Sequence, residues 1–164
     1  MKNVGGDRVE VTTLVGPNSD VHVYSPTPGD TKMITPARAM FMNGLGLEGW
    51  IARLVTASGS KAPVVIASTG VKTRNAADGG STGIDPHAWQ SVANAKRYVA
   101  NIRDSLDAVD PAGKATYDAN AAVYISELDA LEEEVRSAVE KIPADRRKII
   151  TTHDAFGYLG MPMA

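Results

Sequence analysis

Residues 110–143 read DPAGKATYDANAAVYISELDALEEEVRSAVEKIP and carry a long, regular apolar pattern. Apolar side chains recur at steps of four and three residues, the spacing that places them on one face of an α-helix. They are Tyr117, Ala121, Tyr124, Leu128, Leu131, Val135, Ala138 and Ile142. At 1.5 Å per residue, roughly 30 residues predict a helix of about 45 Å, which Pro143 ends. Because this is long for a chain of 164 residues, the pattern predicts a rod that spans two bodies.

Strand-like and helix-like segments alternate along the rest of the chain. Strands are predicted at residues 9–15, 40–42, 63–67 and 148–152, helices at residues 47–57 and 85–109, and a long loop at residues 68–84. A short helix is also predicted to open within residues 27–30 and to continue through Met33 and Ile34. Asp85-Pro86 and Asp110-Pro111 each predict a helix start, with aspartate as the N-cap and proline at the first helical position. The alternation predicts an α/β fold with a largely parallel sheet.

Composition excludes several classes of protein. A formal net charge of −2 lacks the excess of cations that nucleic-acid binding requires, so no nucleic-acid partner is expected. No apolar run approaches the ~20 residues of a membrane-spanning helix. The absence of cysteine excludes disulfides, thiolate metal sites and cysteine nucleophiles. Any transition-metal site must therefore use histidine and carboxylate ligands.

The three histidines, His22, His87 and His153, each lie at the predicted end of a strand or start of a helix. Strand ends at one edge of an open α/β sheet are where ligand sites gather. The predicted helix start at His87 favours its neutral, metal-binding form through the helix dipole. Asp20 and Asp154 could orient the rings of His22 and His153. Capping, surface and core roles stay open, because the histidines have no local metal-ligand spacing.

A second motif points to a different class of protein. Gly44, Gly46 and Gly49 form a G-x-G-x-x-G sequence between a predicted strand and a predicted helix, the context of a dinucleotide-binding turn. The next strand lacks the carboxylate that would hold the ribose hydroxyls, while Lys72 and Arg74 could contact a 2′-phosphate. Alternatively, the glycines make a tight turn that allows close packing. An NADP- or nucleotide-binding module is therefore one hypothesis.

Taken together, four segments resemble the metal-binding class of ABC-transporter solute-binding proteins, the zinc and manganese binders. The segments are VGPNSDVHVYSPTP at residues 15–28, NGLGLEGW at 43–50, DPHAW at 85–89 and THDAFGY at 152–158. They follow the order and spacing of that family across nearly the whole chain. In that family the glycine-rich turn is a structural feature of the first lobe and not a nucleotide site.

The resemblance implies two α/β lobes joined by one long rigid helix, with the metal ion in the cleft between them. Carried over to this chain, residues 1–109 are the N-terminal lobe without its first strand. Residues 110–142 are the linker helix, and residues 143–164 are the beginning of a truncated C-terminal lobe. The predicted strand at residues 148–152 would be the first strand of that second, mostly missing lobe.

The resemblance also implies the metal ligands, which are His22, His87 and His153. Histidine at the third position resembles the zinc-type members, whereas manganese-type members often have glutamate there. Zinc is therefore the expected ion and manganese the alternative. Three imidazoles suit zinc by ligand preference, and a tetrahedral site needs one more ligand. The family's usual fourth ligand, an aspartate late in the second lobe, is absent from this sequence.

The implied function is capture of a divalent metal ion for delivery to an ABC permease, by a binding protein and not an enzyme. The implied location is the periplasm or the extracellular surface, although the sequence shows no signal peptide in this form. For a truncated chain we expect weakened binding, with water or a neighbouring chain completing the metal shell. An unpaired strand in the second lobe also favours self-association. A purely architectural or regulatory role is the remaining alternative.

Overall fold

The computed structural model describes residues 1–76 and 83–159. These residues form helices α1 (Lys2–Gly5), α2 (Pro28–Ile34), α3 (Ile51–Ser58), α4 (Val92–Val109) and α5 (Lys114–Glu140), with strands β1 (Met40–Met42) and β2 (Val64–Ile66). Short 3-10 turns lie at Gly6–Arg8, Ala88–Gln90, Pro111–Gly113 and Ala144–Arg146. The middle of the loop predicted at residues 68–84 lies outside the described residues.

A small parallel sheet confirms the predicted α/β class. β1 pairs with β2 in parallel, with Met40, Phe41 and Met42 opposite Val64, Val65 and Ile66. The chain passes through α3 between the two strands, as a parallel pair requires a crossover connection. This arrangement places the carboxyl ends of β1 and β2 side by side. Asn43, the residue after β1, donates from its side chain to the Pro86 carbonyl at 3.0 Å, next to His87.

Two apolar clusters hold the described residues together. The first joins α1, α4 and α5 through Val4, Val99, Ile102, Leu106, Tyr117, Ala121 and Leu128. The second joins α2, β1 and α3 through Ile34, Met40, Trp50, Ile51 and Leu54. Burial of apolar surface in these clusters is the main stabilising contribution to such a fold.

The long helix predicted at the C-terminal side of the chain is confirmed. α5 has 27 residues, a length of about 40 Å, and follows a 3-10 turn that Pro111 begins. Its buried residues are Tyr117, Ala121 and Leu128, all in its first 15 residues, whereas Leu131 is 44% exposed. The apolar stripe of α5 therefore continues past the part of the helix that packs against α1 and α4. That α5 is a rod between two lobes stays a prediction.

Two predicted strands are wrong. Residues 9–15 and residues 148–152 are not strands in the structure. A strand requires a neighbour for its backbone N–H and C=O groups, and β1 and β2 pair with each other within the described part of the chain. Ile149 and Ile150 are instead 68% and 100% exposed, and self-association through this segment stays a prediction.

Three predicted helix starts also differ from the structure. α4 begins at Val92 and not at Pro86, because Ser91 is its N-cap and accepts a hydrogen bond from the Asn94 backbone N–H at 3.4 Å. α3 begins at Ile51, since the preceding residues 45–50 form turns. α5 begins at Lys114, because Asp110 and Pro111 instead open the 3-10 turn Pro111–Gly113. The first difference releases Asp85 from the capping role that its Asp-Pro sequence predicted, and leaves its carboxylate free for a neighbouring histidine.

A capping box fixes the start of α2. The Asp30 carboxylate accepts hydrogen bonds from the Thr27 backbone N–H at 2.6 Å, from Thr27 Oγ1 at 2.9 Å and from the Tyr24 hydroxyl at 2.9 Å. These bonds, led by the Thr27 backbone N–H, hold the pKa of the buried Asp30 carboxyl below its ordinary value. Asp30 therefore anchors the end of the loop that carries His22.

We expect Asp30→Ala to lower the free energy of unfolding by about 1–3 kcal/mol, because it leaves a backbone donor and two hydroxyls without their charged acceptor. The pKa of Asp30 is lower in the folded than in the unfolded chain, so its stabilisation is complete at neutral pH. That stabilisation is lost as the pH falls below about 4. Urea unfolding at pH 7 and at pH 3 measures both effects.

The control is Asp118→Ala, which removes an exposed carboxylate from ion pairs with Arg103 and Lys114. Exposed pairs contribute at most about 1 kcal/mol, so this variant should unfold nearly as the parent chain does. An Asp30→Ala variant as stable as Asp118→Ala at pH 7 would contradict the role assigned to Asp30.

Candidate metal centre

The structure brings the three predicted ligands together, although they are far apart in the sequence. One ring nitrogen from each of His22, His87 and His153 lies within 4.8 Å of the others. The ring centroids are 5.5 Å apart for His22 and each partner, and 4.9 Å apart for His87 and His153. His87 is buried, whereas the other two are exposed. The cluster therefore consists of one buried imidazole, that of His87, and two imidazoles that are exposed to solvent, those of His22 and His153.

Asp85 determines which nitrogen of His87 faces the cluster. Its Oδ1 lies 2.8 Å from His87 Nδ1, and its side chain is 3% exposed. A carboxylate only accepts hydrogen bonds, so Nδ1 carries the proton and Nε2 presents its lone pair towards the cluster. The predicted reason for a neutral His87 is wrong, because His87 precedes the 3-10 turn Ala88–Gln90 and lies outside the first turn of α4.

An aspartate two residues before the histidine shapes the backbone at both His22 and His87. Asp20 Oδ1 accepts from the His22 N–H at 2.9 Å, and Asp85 Oδ1 accepts from the His87 N–H at 3.0 Å. Both are Asx turns, in which an aspartate side chain holds the chain two residues on. The repeated D-x-H spacing is the signal in the sequence that could have identified Asp85.

The ring partners predicted for the two exposed histidines are wrong. Asp20 bonds the backbone of His22 and not its ring, and the described residues show no bond from Asp154 to the ring of His153. Trp50 instead supports the His22 loop, since its Nε1–H donates to the Val21 carbonyl at 2.9 Å.

The site has the geometry to hold one divalent cation between its nitrogens. His87 Nε2 and His153 Nε2 are 3.0 Å apart. Two nitrogens bound tetrahedrally to zinc at 2.0–2.1 Å are separated by about 3.3 Å, so little movement would admit the ion. The Trp89 ring packs edge-on against His87 at 5.3 Å and forms one wall of the site.

Two backbone N–H groups at the start of the glycine-rich turn are bound by a carboxylate of the chain itself. Glu48 accepts from the backbone N–H of Asn43 at 2.6 Å and of Gly44 at 3.0 Å. These two N–H groups are therefore not available to a bound phosphate. Gly44 has a φ of +84°, and a Cβ there would overlap Ile66, so glycine serves the close packing of the turn. The nucleotide-binding hypothesis therefore finds no support at this turn.

Comparison with known proteins supports a metal-transport family. The family model described as zinc-uptake complex component A, periplasmic, matches residues 1–162. The manganese-binding lipoprotein MntA of Halalkalibacterium halodurans is 38% identical over 98% of this chain and 52% of its own length. The iron-binding protein YfeA of Yersinia pestis is 35% identical over 96% of this chain and 51% of its own length.

Solved structures give the same result for the fold. A zinc-bound ZnuA deletion mutant superposes with a TM-score of 0.89 and 31% identity, over 96% of this chain and 59% of that one. The manganese-bound periplasmic metal-binding protein of Candidatus Liberibacter asiaticus gives 0.85 and 31%, with the same coverage. The chain thus spans roughly half the length of the relatives that it matches. Among the described residues, no helix is both long and apolar enough to cross a membrane.

Proposed function

Because this chain belongs to the family of zinc-uptake complex component A, a family of metal-transport binding proteins and not of enzymes, we propose that it captures zinc through His22, His87 and His153. The observation that carries the proposal is the convergence of one nitrogen from each histidine within 4.8 Å. Three neutral imidazoles form a donor set that suits zinc. The ion is the cargo of the protein, and the histidines hold it for transfer.

The preference for zinc rests on the donor chemistry, since the relatives bind different metals by name. MntA is named for manganese and YfeA for iron, whereas the zinc-bound structure is a ZnuA. Manganese prefers carboxylate and water oxygens, and the cluster of the described residues contributes three nitrogens. Manganese remains the alternative cargo for the same site.

The partner and the location follow from the family. We propose delivery of the ion to an ABC permease, at the periplasmic or extracellular side of the membrane. The words periplasmic and lipoprotein in the descriptions of the family and its relatives support this location. A site with three protein ligands leaves one tetrahedral position for water or a further residue, so we propose weaker capture than a complete shell would give.

Calorimetric titration of the chain with zinc, with manganese and with NADPH tests this function. We expect one zinc ion to bind per chain and to bind at least tenfold more tightly than manganese, because nitrogen donors favour zinc. NADPH should give no binding heat, since Glu48 binds the backbone N–H groups of Asn43 and Gly44 at the start of the glycine-rich turn. Absence of zinc binding would contradict the function, and tighter binding of manganese would contradict the choice of ion.

A further inference from the structure

Tyr158 lies five residues after His153 and is among the most buried side chains of the structure, at 1% exposure. Its hydroxyl donates to the Asp85 carbonyl oxygen at 2.7 Å and accepts from the Arg74 backbone N–H at 3.1 Å. Burial raises the pKa of this hydroxyl, so it remains an O–H donor at neutral pH. One side chain from the segment after α5 thus binds two backbone groups of the earlier part of the chain.

Those two backbone groups belong to the base of the loop before His87. The Asp85 N–H donates to the Arg74 carbonyl at 2.9 Å, and Asn75 and Ile84 form an antiparallel bridge beside it. The Asp85 carboxylate holds both the backbone N–H and the ring of His87. Tyr158 is therefore connected to His87 through a single residue.

Few other contacts fix the segment that carries His153. Residues 149–159 form neither helix nor strand, and most of their side chains are exposed. Across residues 1–76 and 83–159, the hydrogen bonds that join this segment to the rest of the chain are the two of Tyr158 and the His153–His87 contact itself. Tyr158 is therefore the main hydrogen-bonded attachment of this segment outside the histidine cluster, within the described residues.

Arg74 and Gly157 complete this arrangement. The Arg74 guanidinium lies 5.9 Å from the centre of the Tyr158 ring, within the range of a cation–π contact, and 3.7 Å from Asp85 Oδ2. A Cβ at Gly157 would overlap the same guanidinium, so glycine is what admits Arg74 here. The Tyr158 hydroxyl is thus bound by two backbone groups, and its ring contacts the Arg74 guanidinium, for which Gly157 leaves space.

We propose that Tyr158 is a positioning residue that locks His153 to the Asp85–His87 unit and so pre-forms the metal site, an inference that rests on the proposed function. Pre-organisation lowers the entropic cost of ordering the exposed His153 segment when the ion binds. Partners that orient metal ligands typically change affinity by about 10–100-fold when removed. Tyr158 acts at longer range than Asp85, so the lower end of this range is expected.

The test is Tyr158→Phe, which keeps the ring and removes the hydroxyl. We expect the zinc dissociation constant of the chain to rise about tenfold. The matched control is Tyr117→Phe, which removes another buried hydroxyl, bonded to Asp110 Oδ2 at 2.6 Å within the α1–α4–α5 cluster. Tyr158→Phe loses two hydrogen bonds and Tyr117→Phe loses one, so both should lose some thermal stability, but zinc affinity should fall only in Tyr158→Phe. Equal zinc affinity in the two variants would overturn the proposal.

A measurement without metal separates this inference from the proposed function. Amide hydrogen exchange of the metal-free chain should show that the Arg74 N–H is protected, and that Tyr158→Phe removes this protection. If the exchange of the Arg74 amide is the same in both chains, the positioning role is wrong even when zinc binds. If the parent chain binds no zinc, the proposed function fails, and the positioning role for a metal site fails with it.

Discussion

Replacing His87 by alanine is expected to lower the zinc affinity of the chain by about 100-fold or more. Removing a hydrogen-bond partner of a ligating histidine lowers metal affinity by roughly 10–100-fold, and removing the ligand itself should lower it further. His87 has the largest expected effect because it is only 6% exposed and its Nδ1 is bound to Asp85. Its Nε2 therefore points at the ion before the ion arrives. Calorimetric titration with zinc measures the change.

A suitable control for His87→Ala is Asn120→Ala. Asn120 donates to the Val4 carbonyl at 3.0 Å, between α5 and α1, so the substitution also removes a polar side chain that bonds across the fold. Its zinc affinity should stay within twofold of the parent chain. Circular dichroism of both metal-free variants shows whether the fold is retained. An unchanged dissociation constant in folded His87→Ala would remove His87 from the ligand set.

The second large effect is expected for Asp85→Asn, with a fall in zinc affinity of about 10–100-fold. The carboxylate can only accept the Nδ1–H of His87, whereas an amide can also donate to Nδ1. Donation would move the ring proton to Nε2, the atom that faces the cluster, and that proton must leave before an ion binds. The substitution also removes the ion-pair partner of Arg74 at 3.7 Å. Competition titration against a chromophoric chelator measures this range.

Asp110→Asn is the matched control for this change of charge. Asp110 accepts hydrogen bonds from Arg8 and from the Tyr117 hydroxyl, so it has one cationic partner and one ring partner, as Asp85 has. Asp110, however, lies at the end of α4 and, in the described part of the chain, contacts none of the three histidines. We expect Asp110→Asn to affect stability and to leave zinc binding unchanged. If the two variants bind zinc equally well, the ring of His87 does not depend on Asp85.

Helices and central strands of the fold were predictable because their signals are local. The 3.6-residue periodicity identified α5, and the apolar runs that became β1 and β2 were recognisable as strands. Burial differs between the two, because Val64 and Ile66 of β2 are 41% and 47% exposed. Residues 9–15 and 148–152 carry the same β propensity but lack a neighbouring strand in the described part of the chain. Propensity describes how well a segment's residues suit an extended backbone. A strand also requires a second strand to bond with, and the segment's own sequence does not show whether one is present.

The metal cluster was predictable as a set of residues but not as a geometry. Residue chemistry and the family resemblance pointed to His22, His87 and His153, and the structure gathers them within 4.8 Å. The supporting contacts were missed, because Asp85-Pro86 has the sequence of a helix start and Tyr158 has no local signal at all. Tyr158 Oη meets Arg74 and Asp85 across separations of 84 and 73 residues, and only the folded chain reveals such contacts.

The central claim is that the three histidines bind one metal ion. Crystals of the chain grown with zinc, with diffraction data collected above and below the zinc absorption edge, test it most directly. We predict a single strong anomalous peak at about 2.0–2.1 Å from one ring nitrogen of each of His22, His87 and His153. A zinc peak bound elsewhere, or no peak among these three rings in a zinc-saturated crystal, would contradict the account.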